Sequence, residues 1–194
     1  VITGRVEQGC VEPGLEAKFI PTDIPSLKCE GKVFTVEMHH KNAPKANCGD
    51  NVGLNMKGLA SNNMPRCGDV MIAKNDATGT AVQLLTCSVQ VLDHPGELKC
   101  GYTPIAFIRT GRSAVKMVKI NWKIGKSTGG QKAEGDIKFI KANEAASVDF
   151  EPQQPFVAEA FSTCEGLGRV AILEGNGVVM LGKVDSDVKK EYKK

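Results

Sequence analysis

The feature that most constrains the fold of this chain is the steady return of short strand-like segments between glycine- and proline-containing turns. Each segment alternates apolar and polar residues or forms a short apolar run, as strands do. Turn formers such as Glu12-Pro13-Gly14 and Glu174-Gly175-Asn176-Gly177 separate the segments, and no helix longer than a turn or two is predicted. The predicted strands are residues 2–6, 15–20, 32–38, 51–59, 82–92, 103–110, 114–124, 137–140, 147–150, 156–161, 169–173 and 178–184.

Many short strands at close spacing, with 21 Gly in 194 residues, are typical of all-β barrels or sandwiches. The polar stretch 73–79 reads AKNDATG and holds no apolar side chain larger than Ala. It is the best linker, because linkers are polar and separate regions dense in strands. We therefore predict an all-β fold of two consecutive antiparallel β-barrels, residues 1–76 and residues 77–194.

One stretch, KIGKSTGG at residues 123–130, invites comparison with the phosphate-binding loop of nucleotide enzymes. That loop needs a further glycine five residues before Gly125, and Ile120 occupies the position. It also joins a strand to a helix, whereas the residues that follow here have no helical pattern. We interpret the stretch as a flexible turn between two antiparallel strands.

Composition indicates a soluble globular protein, since 41% of the residues are hydrophobic and 24% charged. No apolar run approaches the roughly 20 residues that span a bilayer, and the first residues, VITGRVEQG, lack the build of a signal peptide. The seven cysteines form no CxxC pair, which favours reduced thiols. We expect a cytoplasmic protein with no membrane partner.

The net charge of +3 is confined to one end of the chain. Residues 188–194, VKKEYKK, hold four Lys and one Glu, so basic and acidic residues balance in the remainder. A polyanion-binding surface must then be a local patch. The tail itself is more simply a solubilising segment than an RNA contact.

Catalytic and metal-binding patterns are weak. His39 and His40 are neighbours at the end of a predicted strand, where successive side chains point to opposite faces, so they cannot jointly bind one metal. His94 lies in an HPG turn, and the Cys and His spacing of metal sites is absent from the sequence. We predict no catalytic residue and no metal site.

Two glycine-framed motifs carry more information. TGRVEQG, at residues 3–9, places Gly4 inside a predicted strand, where a glycine often marks the close approach of a ligand or another backbone. CGDNVG, at residues 48–53, is a turn that enters a strand. From the residues alone, a binding surface and a plain tight hairpin remain open alternatives.

The ordered set TGRVEQG, VEMHH, GDNVGLNMKG, HPGELKCGYTP, KFIKANEAASVDF, PFVAEAF and LGRVAI resembles the second and third domains of the eukaryotic elongation factor 1-alpha family or its elongation-factor-like paralogue. The resemblance covers essentially the whole chain. It implies that the GTPase domain, which would bind GTP and Mg²⁺, is absent from this sequence. It also implies that Val1 lies inside an early strand of the first barrel, whose first strand is expected to be missing.

The resemblance implies a binding role for several residues. Ile2, Gly4 and Arg5 would line the pocket for the terminal adenosine of tRNA, because glycine permits close approach and arginine can stack on or bond to a nucleotide. Asp50 and Asn51 would frame the same pocket. His39 and His40 would lie on a surface for tRNA or the nucleotide-exchange factor, and Arg109 would contact the T-stem.

Two positions depart from the family pattern. Lys45 stands where the family usually has an acidic residue near the adenosine, and LEGNGVVMLG, at residues 173–182, replaces a charged stretch. Both departures make those contacts less transferable.

The function implied is the tRNA-binding part of an elongation factor that delivers aminoacyl-tRNA to the ribosomal A site in a GTP-dependent manner. Its partners would be aminoacyl-tRNA, the ribosome and a guanine-nucleotide exchange factor. The alternative is a release-factor or ribosome-rescue GTPase whose barrels bind a tRNA-mimicking protein. A free-standing enzyme would need a pocket of strongly perturbed titratable groups.

Overall fold

The computed structural model describes residues 1–76, 79 and 81–189, and its regular structure there is almost entirely β-strand. The described residues up to Gly79 form one compact unit and residues 81–189 form a second. The predicted all-β, antiparallel fold class is confirmed. Residues 77 and 78 of the predicted linker, and residues 190–194 of the basic tail, lie outside the described residues.

The first unit is built from one six-stranded antiparallel sheet and a short two-stranded ladder. The strands of the first unit are β1 Ile2–Arg5, β2 Cys10–Val11, β3 Glu16–Ile20, β4 Glu30–Met38, β5 Lys41–Ala43, β6 Ala46–Asn47, β7 Asn51–Lys57 and β8 Val70–Ala73. The main sheet has the order β1-β7-β4-β3-β8, with β5 paired to β4, and the small ladder joins β2 to β6.

The core of the first unit comes from the alternation of side chains along its strands. Val33 and Val36 of β4 are buried, and so are Val52 and Leu54 of β7, while the residues between them face outwards. A bulge between Val33 and Thr35 restores the alternation after Phe34, which remains half exposed. Burying such side chains stabilises the fold by about 1.5–3 kcal/mol each.

The second unit is a closed barrel. Its strands are β9 Val82–Val91, β10 Leu98–Lys99, β11 Ile105–Ile108, β12 Gly111–Ile124, β13 Ala133–Glu134, β14 Phe139–Ile140, β15 Ala145–Pro152, β16 Arg169–Glu174 and β17 Gly177–Lys189. The order β11-β16-β17-β9-β15-β12 returns to its start because β11 also pairs with β12, and β13 adds to β12 at the side. A separate ladder joins β10 to β14. Closure removes the exposed strand edges that invite aggregation.

The strand predicted at residues 156–161 is wrong. Phe156, Val157 and Ala158 are buried, so their apolar run resembles a core strand, but the segment has no ladder partner among the described residues. Its backbone instead makes single hydrogen bonds, from Val82 N to Phe156 O at 2.8 Å and from Phe161 N to Val184 O at 2.9 Å. The six strands β2, β5, β6, β8, β10 and β13 were not predicted, because each has only two to four residues.

Among the described residues, no helix is both long enough and apolar enough to cross a membrane.

Gly182 of β17 offers a test of the barrel packing. A Cβ at this position would lie 2.3 Å from the carbonyl oxygen of Ser88, so the backbones of β9 and β17 would have to separate. We expect Gly182→Ala to lower the free energy of unfolding by about 2–3 kcal/mol. Urea unfolding followed by circular dichroism measures this. Gly177→Ala is the control, because its Cβ would meet its nearest atom at 3.6 Å. Equal stabilities of the two variants would refute the packing.

Candidate nucleic-acid interface

The residues predicted to hold the tRNA end lie along the ladder between β1 and β7. The register places Arg5 opposite Asn51, Gly4 opposite Val52 and Ile2 opposite Leu54. Antiparallel pairing therefore joins the two glycine-framed motifs, TGRVEQG and CGDNVG, which are far apart in the sequence. Neither motif could show this pairing by itself.

The predicted residues of this ladder divide between two faces. Ile2 and Gly4 stand opposite the buried Leu54 and Val52, so they belong to the core side of the sheet. Arg5 and its partner Asn51 are exposed on the other side. The structure therefore brings all of them to one ladder but not to one face.

Gly4 has free space beside it. A Cβ added there would meet no atom within 4 Å, and the backbone of Gly4 is not in the left-handed region. Packing within the chain thus does not require glycine at this position. The space is available to a ligand that approaches the backbone closely.

Asp50 organises the turn that leads into β7. Its Oδ2 accepts a hydrogen bond from Asn47 N at 2.8 Å, and its backbone N–H donates to Asn47 O at 3.0 Å. Two backbone hydrogen bonds also join Val6 to the turn. Val6 N donates to Asp50 O at 3.0 Å, and Gly49 N donates to Val6 O at 2.8 Å. The Asp50 carboxylate is engaged in holding Asn51 beside Arg5.

His39 and His40 form a two-residue turn between β4 and β5, with Met38 paired to Lys41. Their φ angles are 50° and 61°, and both residues are exposed. Their predicted place at the end of a strand agrees with β4, which ends at Met38. The expectation that their side chains alternate as in a strand is wrong, because the chain reverses at these two residues. The pairing of Glu37 with Gly53 puts this turn at the end of the sheet that also carries Asn51 and Arg5.

A left-handed backbone at two successive histidines is costly, since turns of this kind favour Asn-Gly. Residues kept in such conformations cluster at functional sites. The turn is therefore a candidate contact surface.

The charges around this end of the sheet are largely paired. Arg5 Nε lies 4.0 Å from Glu7 Oε1, and Lys45 Nζ lies 2.8 Å from Glu12 Oε1. The hydrogen bond that Lys45 donates to Glu12, followed by one with Cys10, raises the pKa of Lys45 above its ordinary value. Groups of His, Cys, Asp and Glu that could hold a metal ion are absent from the described part of the chain.

Arg109 belongs to the second unit. It and Thr110 make the turn between β11 and β12, where Ile108 pairs with Gly111. Arg109 is exposed and has a φ of 54°.

The KIGKSTGG stretch is an ordered connection between antiparallel strands. It leaves β12 at Ile124, makes a 3-10 turn at Lys126–Thr128 and leads to β13, which pairs back onto β12. The Thr128 hydroxyl accepts a hydrogen bond from Gly125 N at 3.1 Å. The turn between antiparallel strands agrees with the prediction, but it is hydrogen-bonded rather than the flexible turn that was expected.

A buried ion pair lies under this turn, which the sequence analysis missed. Lys123 Nζ is 3.4 Å from Glu144 Oε2, and Lys123 and Glu144 are only 8% and 3% exposed. Glu144 also accepts hydrogen bonds from Ser127 Oγ and from Lys141 N, the latter at 2.9 Å. A Cβ on Gly125 would lie 2.5 Å from Glu144 Cγ, which explains the glycine. No sequence signal pairs these residues, since 21 positions separate them.

His94 has a local role in its turn. Its Nδ1 accepts a hydrogen bond from Gly96 N at 3.0 Å, and its Nε2 lies 3.2 Å from Glu174 Oε2. The Tyr102 hydroxyl donates to the same carboxylate at 3.1 Å. Burial and this carboxylate raise the pKa of Tyr102. These contacts hold three loops together at one end of the barrel.

The Glu144 network predicts a pH dependence of stability. Burial raises the pKa of the Glu144 carboxyl, but the hydrogen bonds from Ser127 and Lys141 and the charge of Lys123 outweigh burial, so the pKa is lowered. A lowered pKa in the folded state stabilises the fold above the unfolded pKa of about 4.3, and this stabilisation is lost as pH falls through the folded pKa. Glu144→Gln should cost about 2 kcal/mol at pH 7, with a smaller cost at pH 3.

Urea unfolding between pH 3 and pH 7 measures this difference in the free energy of unfolding. Glu151→Gln, on the exposed side of β15, is the control and should change it by less than about 0.5 kcal/mol. A cost of Glu144→Gln that is the same at pH 3 as at pH 7 would contradict the network.

Comparison with known proteins agrees with these features. A family profile described as GTP-eEF1A C-terminal domain-like matches residues 84–185. Elongation factor 1-alpha of Stylonychia lemnae is 37% identical over 193 residues, and that of Eremothecium gossypii is 36% identical over 194. These alignments cover 100% and 98% of this chain but 42% and 40% of the relatives, so the chain spans about two fifths of their length.

Solved structures of sup35 share the fold. The complex with GDP has a TM-score of 0.82 at 21% identity, and it covers 95% of this chain and 43% of the sup35 chain. The complex with GMPPNP has a TM-score of 0.83 at 20% identity, with 97% and 44% covered.

The profile and the elongation factor relatives together define the class. The chain belongs to the GTP-eEF1A C-terminal domain-like family, and the suspected resemblance is confirmed.

Proposed function

We propose that this chain is the tRNA-binding C-terminal part of a translation elongation factor that delivers aminoacyl-tRNA to the ribosomal A site in a GTP-dependent manner. The observation that carries the proposal is the β1–β7 ladder, where Gly4 leaves free space on one face while Arg5 and Asn51 are exposed on the other. The similarity to elongation factor 1-alpha, which extends over 193 residues of this chain, supports it.

In this proposal the ladder holds the 3′ end of tRNA. Ile2 and Gly4 contact the terminal adenosine from one face of the ladder. Arg5 and Asn51 contact the same nucleotide from the other face. Asp50 acts on the pocket by fixing the turn. Lys45 remains bound to Glu12 and does not replace the acidic contact of the family.

The other predicted residues contact partners at separate places. His39 and His40 present an exposed two-residue turn to the exchange factor or to tRNA. Arg109 contacts the phosphates of the T-stem, because arginine suits the recognition of phosphate oxygens.

The chemistry belongs to a further domain. GTP and Mg²⁺ would be bound by an N-terminal GTPase domain, while this chain contributes two barrels, residues 1–76 and 77–194, and no catalytic residue. The parent protein acts in the cytoplasm with the ribosome and without a membrane partner. A release-factor role is the second choice, since the relatives at 35–37% identity are named elongation factor 1-alpha.

The intact mass of the native protein tests the link to a GTPase. We expect capture from its own cells, with an antibody against this chain, to give a species larger than 20.7 kDa by at least one domain of about 200 residues. A native species of 20.7 kDa would remove the GTPase domain from the proposal.

Gly4→Ala tests the pocket. Since the added methyl enters open space, the variant should fold with wild-type stability. A methyl between backbone and ligand should weaken binding of aminoacyl-tRNA by about tenfold or more in the GTP form of the full-length protein, a change of about 1.4 kcal/mol. Fluorescence titration measures this change.

Two controls accompany the titration. Deacylated tRNA should bind the wild-type protein more weakly, and Gly96→Ala, in the second unit, should bind aminoacyl-tRNA normally. Equal affinities for the two tRNAs would refute delivery of aminoacyl-tRNA. Normal binding by Gly4→Ala would refute the position of the pocket.

A further inference from the structure

A cluster of exposed lysines lies on the loop that contains KIGKSTGG. We call residues 125–141 the lysine loop. It holds four exposed lysines against two acids, Glu134 and Asp136, on a second unit whose charge is otherwise close to balanced. The four lysines are Lys126, Lys132, Lys138 and Lys141.

The base of this loop is fixed by the buried ion pair. Lys123 Nζ donates to Phe139 O at 3.1 Å, and Glu144 accepts from Ser127 Oγ and from Lys141 N. Both ends of the loop are thereby bound to one buried carboxylate. A fixed loop loses less conformational entropy on binding than a free one.

In the described part of the chain, two of the four lysines are in ion pairs and two, Lys126 and Lys138, are not. Lys132 is paired with Glu134 at 2.5 Å, and Lys141 with Glu97 at 3.3 Å. Hydrogen bonding by Lys99, together with Lys141, lowers the pKa of Glu97, which is therefore shared between two lysines. Within the described ranges, Lys126 and Lys138 lie in no ion pair, so their charge is available to a partner.

Aromatic rings lie beneath two of these lysines. Lys132 Nζ is 5.3 Å from the centre of the Trp122 ring, and Lys141 Nζ is 5.1 Å from that of Phe139. Both rings are half-buried. Lysines interspersed with aromatic rings are typical of surfaces that bind RNA, whereas a purely ionic contact needs no rings.

The lysine loop is remote from Arg109. Arg109 precedes β12 and the loop follows it, so the 14 residues of this strand separate them and they lie at opposite ends of β12. The loop is a different surface from the one assigned to the T-stem.

We propose that the lysine loop is a second RNA-binding surface, which takes the phosphate backbone of an RNA other than the tRNA held at the β1–β7 ladder. Lys126 and Lys138 make the principal phosphate contacts. The surface does not depend on a GTPase domain, and it stands independently of the proposed delivery of aminoacyl-tRNA.

The experiment measures binding of the 194-residue chain to a fluorescein-labelled single-stranded RNA of 20 nucleotides by anisotropy, between 50 and 200 mM KCl. Lys126→Ala/Lys138→Ala should weaken binding about five- to tenfold at 50 mM. The slope of log K against log salt should become shallower by about 1.4, since each lost phosphate contact on a single strand contributes about 0.7.

The matched control is Lys116→Ala/Lys119→Ala, which removes the same charge from exposed positions within β12. It should leave affinity within about twofold of wild type, and all proteins in the comparison carry the same basic tail. Equal losses in both variants, or no loss in Lys126→Ala/Lys138→Ala, would overturn the proposal.

Two further measurements separate this proposal from others. Polyglutamate should compete poorly with the RNA, and competition as strong as that of unlabelled RNA would identify an acidic-protein surface and overturn RNA binding. In the full-length protein, Lys126→Ala/Lys138→Ala should retain the preference for aminoacyl-tRNA over deacylated tRNA. Loss of that preference would show that the loop belongs to the tRNA site already proposed.

Discussion

Antiparallel pairing sends successive side chains to opposite sides of each sheet, and this constraint governs both units. In the first unit it buries Val36 and Leu54 while Arg5 and Asn51 remain exposed. In the second, the pairing of β11 with both β12 and β16 turns the sheet into a barrel whose inner face is filled. Closure also forces close approaches, and Gly182 is the clearest case because backbone occupies the place of a side chain.

The same alternation shapes the candidate interface. The resemblance assigns Ile2, Gly4, Arg5 and Asn51 to one pocket, but the register divides them between the two faces of the β1–β7 ladder. A nucleotide at this ladder can contact Gly4 from the core side and Arg5 from the outer side only if it lies across the end of the sheet. The Asp50 turn and the His39-His40 turn stand at that end.

The ion pair between Lys123 and Glu144 has a different role. A buried pair of this kind adds little net stability compared with apolar packing, but it demands hydrogen-bond partners for each atom. Here those partners come from both ends of the lysine loop. The need to satisfy a buried carboxylate thus fixes a surface loop whose sequence resembles a nucleotide site.

The sequence by itself determined the all-β class, most long strands and the family, because alternation, turn formers and ordered motifs are local signals. It also rejected the phosphate loop, since one glycine and one helix are missing. Only the tertiary structure decided the closure of the second barrel, the left-handed histidine turn and the partner of Glu144. Each of these depends on residues that are brought together by strand register, and hydrogen bonding between distant strands sets that register without leaving a local mark in the sequence.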